Sequence, residues 1–471
     1  MNTVATSPAH LLQLLRPYLV VGDGGAISVQ DPAGLRRDGA ALLAWTAAFS
    51  TDPATTQSAQ WLTRACAASL GIHSASIAPL YAARARGAYE GLSVPALNLR
   101  AQVFTTARLV LETAQAMHGA AIIFELARSE QTYTFQRPAD YATSVLAGAM
   151  AAGWVGPVFI QGDHYQFVAK KYAADPDGVT AEIARACDLA VEAGYRNIDI
   201  DASTLVDLSY ADVGDQQAEN VRRSAEIAAH IRAIEPNGIS ISIGGEIGEV
   251  GTNNSTVEEL GAYLDGFDTS FARLAPGARG LSKVSVQTGT SHGGIPLPGG
   301  GVADVALDFD VLQRLGELAR SRGLAGAVQH GASTLPDALF HRFPEVGTAE
   351  VHLATGFQNL LLDHPSFPGE LRAEMVSWLK EHAADEAKPS DTEEQFIYRT
   401  RKKALGPFKR QLWEIAHTPE IVQSQRERFQ LLFSQLGVTG SRALTDQHLP
   451  AVHDPLPAPP AELLAARNAA N

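Results

Sequence analysis

The sequence predicts a (β/α)8 barrel, an α/β fold of the TIM-barrel type, with extra helical segments at both ends. Eight short apolar runs of β type recur between residues 94 and 356, with amphipathic helical patterns between them. Apolar strands that alternate with helices are typical of a parallel sheet covered by helices. Nearly every run also ends in a polar or Gly-rich element, which is where barrels place their chemistry. A doubly wound open sheet explains the alternation but not the number of runs.

The eight predicted strands lie in order at residues 94–99, 120–126, 156–163, 197–203, 239–246, 281–289, 326–332 and 349–356. Helical patterns such as TTARLVLETAQAM and FDVLQRLGELARSRG separate them. Residues 34–88 predict helices, the last of them (SIAPLYAARARG) just before the first strand. Beyond the barrel, EEQFIYRTRKKALGPFKRQLWEIAH and EIVQSQRERFQLLFSQLG predict two helices, and the Pro/Ala-rich end predicts an extended or loosely held arm.

Three regions follow from this reading. Residues 1–70 form a helical N-terminal extension, residues 71–384 the catalytic barrel, and residues 385–471 a helical C-terminal extension with a Pro/Ala-rich tail. The two extensions are plausible oligomer-forming elements, so we expect a homo-oligomer.

Composition excludes several classes of protein. The chain has 471 residues and a net charge of −14, which argues against a general nucleic-acid binder. Cys66 and Cys187 are the only two cysteines, too few for a disulfide framework or a Cys-rich zinc module. The N-terminus lacks a signal-peptide pattern, and no apolar segment reaches 18 residues. We therefore expect a cytoplasmic protein without a membrane partner.

Three predicted strands run into a histidine in a Gly-rich turn. His164 follows VFIQGD, His292 follows VSVQTGTS and His330 follows GAVQ. Three imidazoles from three strands at one barrel mouth suit a zinc ion that keeps one position open to substrate. A single histidine in such a place is more often a hydrogen-bonded structural residue, but three together favour a metal site.

Carboxylates end neighbouring strands. Asp163 precedes His164 and either faces substrate or caps the next helix. Glu246 follows two glycines and either binds metal, orients a metal ligand or forms a buried ion pair. Glu249, on the same loop, is a candidate acid/base group or an exposed loop residue.

Two stretches offer backbone amides that could hold an anion. HGASTLP, with Ser333, and the HGG that begins at His292 are Gly-rich and lie at strand ends. The basic residues Arg399, Arg401, Lys402 and Lys403 form a solvated helix face, or one of them reaches a substrate phosphate.

The stretches VPALNL, QGDHYQ, IDAS, GGEIGEVG, GTSHGG, VALDFDVLQRL and HGASTLP carry a family resemblance in their order and spacing. Over about residues 75–360 the chain resembles the class II, metal-dependent ketose-bisphosphate aldolases, a zinc-dependent (β/α)8 family. The stretch FIYRTRKKALGPFKRQLWEI is similar to the C-terminal region of the longer members.

The resemblance implies a role for each matching residue. His164, His292 and His330 would hold the catalytic Zn²⁺, and Asp163 would exchange the proton of the reacting hydroxyl. Asp201 and Glu246 would hold a second, exchangeable divalent metal. The substrate would contact the following set: Asn98, Thr355 and, at a phosphate beside a monovalent cation, Gly293, Gly331 and Ser333.

Several positions depart from the family pattern, among them the following three. Strand eight ends His352-Leu353-Ala354-Thr355-Gly356 in place of Asn-Ile-Asp-Thr-Asp, so Thr355 remains. The loop Glu that often serves as second acid/base is absent at residues 251–254, and Glu249 is the substitute. Glu125 stands where some members carry a phosphate-facing Ser; it would repel a phosphate and favour a polyol hydroxyl or an amine.

The expected function is zinc-dependent aldol cleavage or condensation of a ketose, phosphorylated at one end or at neither. A keto-sugar epimerase that works by retro-aldol chemistry on the same site is the alternative. A non-catalytic subunit is a third reading, which the retained histidines and Asp163 disfavour. In each case the partner is a small sugar or sugar phosphate.

Overall fold

Strands form the inner layer of the protein. The computed structural model describes residues 3–248, 253–289, 307–450 and 454–470. The strands are β1 (Leu19–Val21), β2 (Ile27–Val29), β3 (Ile72–Ser74), β4 (Val94–Asn98), β5 (Ile123–Ala127), β6 (Gly156–Gln166), β7 (Asn197–Asp201), β8 (Ser242–Glu246), β9 (Lys283–Val286), β10 (Ala327–Gln329) and β11 (Glu350–Leu353).

The strands β4 to β11 form a closed parallel barrel in chain order. Each strand pairs with the next, and Leu353 of β11 pairs with Leu97 of β4, which closes the ring. All eight predicted strands are therefore confirmed, and the open doubly wound sheet is excluded. Two features lie outside the barrel: β3 runs parallel to the start of β6, and β1 and β2 form an antiparallel hairpin.

Helices cover the barrel and build both extensions. They are α1 (Pro8–Leu15), α2 (Pro32–Gly34), α3 (Ala40–Phe49), α4 (Pro53–Ser69), α5 (Ala78–Ala85), α6 (Val103–Ala116), α7 (Glu130–Thr134), α8 (Pro138–Ala151), α9 (Ala169–Ala174), α10 (Pro176–Glu192), α11 (Val213–Ile234), α12 (Val257–Leu274), α13 (Phe309–Ser321), α14 (Arg342–Glu345), α15 (Thr355–Leu362), α16 (Gly369–His382), α17 (Glu393–Thr400), α18 (Lys409–Glu414), α19 (Pro419–Gln435), α20 (Ser441–His448) and α21 (Ala461–Ala470). None of the helices in the described ranges is long and apolar enough to cross a membrane.

The extensions differ from expectation in two places. The N-terminal extension is not wholly helical, because the hairpin of β1 and β2 interrupts it. The first predicted C-terminal helix is broken into α17 and α18, since Gly406 and Pro407 interrupt the helical pattern and the Gly406 N–H donates to the carbonyl of Tyr133. The region boundaries at residues 70 and 384 stay predictions.

The Pro/Ala-rich tail is firmly packed, which corrects the expectation of a loose arm. The Asp454 carboxylate lies 2.7 Å from Nε of Arg196, a side chain buried at the start of β7. Trp61 of α4 donates its indole N–H to the carbonyl of Pro457 at 2.9 Å. Leu463 of α21 is fully buried, so the tail adds apolar contacts as well as an ion pair.

Candidate active site

A cavity of about 480 Å³ opens at the carboxyl ends of the barrel strands. The sequence-predicted site residues that line it are Asn98, Glu125, Asp163, His164, Glu246, His330, Gly331, Ser333 and Thr355. Their strands are far apart in the chain, and closure of the barrel brings them together. Three predicted site residues, Glu249, His292 and Gly293, lie outside the described residues.

A β-bulge presents Asp163 and His164 to the same cavity. The pairing of β6 with β7 shifts between Gly162 and Tyr165, where one extra residue is accommodated. His164 adopts φ 43°, a left-handed conformation that is uncommon for a residue with a side chain. Successive strand residues normally point to opposite faces, and the bulge removes that alternation here. Strain of this kind is concentrated at functional sites.

Imidazole and carboxylate groups converge on one side of the cavity. His164, Glu246 and His330 each offer one ligand atom, and these atoms lie within 4.8 Å of one another. His164 Nδ1 lies 3.2 Å from Glu246 Oε2, and the rings of His164 and His330 have centroids 4.5 Å apart. This donor set of nitrogen and oxygen fits a zinc ion with an open coordination position.

Asp201 is placed behind His164 and does not line the cavity. Its carboxylate contacts His164 Nδ1 at 3.0 Å and accepts hydrogen bonds from Gln166 Nε2 and Ser203 Oγ. Ser285 Oγ lies 2.9 Å from His330 Nε2 and supports that ring in the same way. Contacts of this type orient metal-binding imidazoles.

Burial and charge shift the ionisation of Asp163 and Glu246, two of the carboxylates that line the cavity. Burial, with Asp201 close by, raises the pKa of Glu246 to about 7. Burial also opposes ionisation of Asp163, but the imidazoles of His164 and His352 hold its pKa below the ordinary value. These imidazoles therefore favour the ionised form of the Asp163 carboxylate at the cavity.

The opposite wall is polar and positively charged at its edge. Asn98 Nδ2 donates to Glu130 Oε2 at 2.7 Å, and Arg100 pairs with the other oxygen of Glu130 at 2.7 Å. Arg100 also lies 3.5 Å from Thr355 Oγ1. Sequence reasoning missed Arg100 and Glu130, which follow β4 and β5 and lack a motif of their own.

Lys402 reaches the cavity from the C-terminal extension. The other three basic residues of its run pair with carboxylates of that extension and of α15's end: Arg399 with Asp391, Arg401 with Asp363 and Lys403 with Glu386. Across the described ranges no carboxylate lies within ion-pair distance of Lys402. Lys402 is therefore the structural candidate for the substrate-facing basic residue that the sequence left as an alternative.

The Gly-rich stretch after β10, predicted to bind an anion, forms a tight turn. Gly331 has φ 71°, which favours glycine, and the Ser333 hydroxyl accepts the N–H of Ala354 at 2.7 Å. Both residues line the cavity.

Beneath the mouth lies a buried polar network that the sequence reading missed. Lys283 Nζ lies 2.9 Å from Asp199 Oδ2 and also contacts Glu350. His352 lies next to Glu350, and Glu125 lies next to His352. Asp199 and Asp201, and likewise Glu350 and His352, are two residues apart and so share the inner strand face. Polar residues at alternate positions of an apolar run were the signal that could have revealed the network.

A family model supplies the identification. The model of class II fructose-bisphosphate aldolase matches residues 82–403, which is more than half of the chain. The chain belongs to the class II fructose-bisphosphate aldolase family.

Solved structures share the barrel at low sequence identity. The chain is similar to a fructuronate-tagaturonate epimerase from Cohnella laeviribosi, with a TM-score of 0.54, 11% identity and 90% of each chain covered. It is also similar to a probable tagatose 6 phosphate kinase from Sinorhizobium meliloti, with a TM-score of 0.52, 16% identity and coverage of 80% of this chain and 98% of that one. An Escherichia coli aldolase, YdjI, matches with a TM-score of 0.45, 15% identity and coverage of 78% and 99%. At these identities, the likeness to the first two structures shows the fold.

Proposed function

We propose that this chain is a zinc-dependent aldolase that cleaves or forms a carbon–carbon bond of a ketose or ketose phosphate. One observation carries the proposal: the carboxylate of Asp163 and the imidazoles of His164 and His330 meet in one cavity. Aldol chemistry needs a base for a hydroxyl proton and an electron sink for the bond that breaks.

The metal would be held by His164 and His330, by His292 as the sequence predicts, and by Glu246 or water. When bound, it would polarise the ketone carbonyl, so that the carbonyl could take up the electron pair of the breaking bond as an enolate. Asp201 and Ser285 hold the two described imidazoles in place.

Asp163 acts on the substrate hydroxyl. Its carboxylate takes the proton of the hydroxyl beside the scissile bond, the C–O of that carbon becomes an aldehyde, and the carbon–carbon bond breaks toward the ketone. The remaining carbanion then takes a proton from a second acid, for which Glu249 is the sequence candidate. Condensation reverses these steps.

Residues on the wall opposite the imidazoles would bind the substrate. Asn98, Arg100, Thr355 and the turn of Gly331 and Ser333 offer hydrogen-bond donors to hydroxyls or to one anionic end. Glu125 faces the same cavity and is buried. A buried carboxylate repels phosphate at close range, so we place at most one phosphate, away from Glu125.

Aldol cleavage is tested with zinc-loaded protein and a panel of ketoses, ketose monophosphates and ketose bisphosphates. We expect release of a free aldehyde and a three-carbon ketone from one of them. Asp163→Asn should lower kcat about 10²–10⁴-fold and leave substrate affinity near the wild-type value. Asp265→Asn, which changes an exposed carboxylate far from the cavity, is the control and should not alter kcat. Full activity of Asp163→Asn would refute the role of Asp163.

A keto-sugar epimerase is the second candidate, because retro-aldol cleavage, rotation and re-addition use the same base and metal. The buried Glu125 in the substrate cavity favours it over a bisphosphate aldolase. Epimerised sugar without free aldehyde in the same panel would select it.

A further inference from the structure

His352 lies at the centre of an unusual concentration of buried negative charge. Four carboxylates lie within ion-pair distance of its ring: Glu125, Asp163, Asp199 and Glu350. All four are buried, and Lys283 is the cation that contacts two of them. Against the effect of burial, the carboxylates also raise the pKa of His352, but one ammonium group and one imidazolium still fall short of four carboxylates, and uncompensated buried charge is costly.

Three atoms of this cluster converge on one point. His352 Nδ1 lies 3.1 Å from Glu125 Oε2 and 3.4 Å from Asp163 Oδ1, and all three side chains are buried. Neither His352 Nδ1 nor Asp163 Oδ1 makes a well-aligned hydrogen bond among the described residues. Buried polar atoms are nearly always satisfied, so the convergence of one nitrogen and two carboxylate oxygens is an arrangement that a bound ion would complete.

The far side of the His352 ring is arranged as in metal-binding histidines. His352 Nε2 contacts Glu350 Oε1 at 2.7 Å, and Glu350 is held in turn by Lys283, Tyr81 and Gln161. A carboxylate on one ring nitrogen orients the ring, as in metal-binding histidines. The other nitrogen is Nδ1, the atom that faces Glu125 and Asp163.

His330 adds a further donor beside Asp163 and His352. The rings of His330 and His352 have centroids 4.0 Å apart, and Asp163, His330 and His352 offer ligand atoms within 4.8 Å of one another. Two ligands of one tetrahedral zinc ion, each about 2.0–2.1 Å from it, are about 3.4 Å apart. The separation of Asp163 Oδ1 and His352 Nδ1 has that value.

We infer that Asp163, His330 and His352 form an inner metal position for a divalent ion of the zinc or cobalt type. It is distinct from the outer position at His164, Glu246 and His330, because it is built on His352, which the family pattern does not contain. Two nitrogen donors and one oxygen donor select zinc and cobalt over magnesium. Since His330 borders both positions, an ion at the inner position competes with the outer one or bridges to it.

Cobalt titration of the full-length protein tests the inner metal position by metal binding alone, with no measurement of activity. Metal-free protein is titrated with Co²⁺ and followed by visible absorption, with bound metal counted after gel filtration. His352→Asn should lower the number of ions bound or weaken one class of site at least tenfold, and should change the cobalt spectrum. His341→Asn, which removes a half-exposed histidine elsewhere, should bind like wild type.

A ligand-exchange variant separates a metal ligand from a structural residue. His352→Cys should bind Co²⁺ and add a thiolate-to-cobalt charge-transfer band, which a structural role would not produce. If His352→Asn does not fold, His352→Cys still tests the metal position. Unchanged stoichiometry, affinity and spectrum in His352→Asn, or a His352→Cys protein without that band, would show that His352 is only a cation among carboxylates. Both readouts are independent of the proposed aldol reaction, so failure of either hypothesis leaves the other testable.

Discussion

Lys402 is the residue whose position says most about substrate charge. It lines the cavity from the C-terminal extension, whereas its neighbour Lys403 pairs with Glu386. A charge-assisted hydrogen bond to an anionic substrate group contributes about 1.5–3 kcal/mol. Lys402→Gln should therefore raise KM for an anionic ketose about 10–100-fold and leave KM for a neutral ketose unchanged. Steady-state kinetics with Lys403→Gln as the matched control checks this, and equal behaviour of the two variants would contradict it.

Site residues could be predicted from the sequence where a motif marks the end of a strand. The turns after β6 and β10 reveal His164 and His330 in the sequence, and the resemblance gives Asp163 its role. The bulge that turns Asp163 and His164 into one cavity was not predictable, because register depends on the pairing of β6 with β7. His352 was visible only as a departure from the pattern, because three of its four carboxylate neighbours come from other strands.

The C-terminal tail is the element whose anchoring could not be predicted. Its Pro/Ala-rich composition is typical of loose arms, and its docking depends on Asp454, which meets Arg196 across more than half of the chain. The eight barrel strands, in contrast, were predictable because each carries its own apolar run. Composition describes local preference, whereas long-range pairs depend on the folded chain.

Asp454 provides the test of this anchoring. Arg196 is 2% exposed and Asp454 8% exposed, and removal of one partner of a buried pair costs about 3–5 kcal/mol. Asp454→Asn should lower the free energy of unfolding by about that amount. Asp446→Asn, which breaks the half-exposed pair with Arg442, should cost at most about 1 kcal/mol. Urea denaturation of both variants measures the difference, and equal costs would show that the tail contributes little to stability.

For the whole molecule, the two faces of the barrel strands lie in different environments. The outer strand faces, such as Ile198 and Ile200 on β7, pack beneath the helices as an apolar shell. The inner faces carry buried carboxylates in place of the branched apolar layers that usually fill such barrels. Stability from the shell must therefore offset repulsion inside, which gives a bound metal an effect on the entire fold.

Metal removal should consequently destabilise the whole protein. An ion that binds only the native state stabilises it by RT ln(1 + [L]/Kd), which is about 2.7 kcal/mol at 100 times Kd. We expect excess chelator to lower Tm and Zn²⁺ to restore it in a concentration-dependent way, with Mg²⁺ much less effective because nitrogen donors dominate. His330→Asn, which alters a donor common to both metal positions, should abolish the shift, whereas His341→Asn should keep it. Superimposable thermal transitions with and without chelator, for protein shown to contain zinc beforehand, would mean that the buried carboxylates are neutralised by Lys283, His352 and bound protons alone.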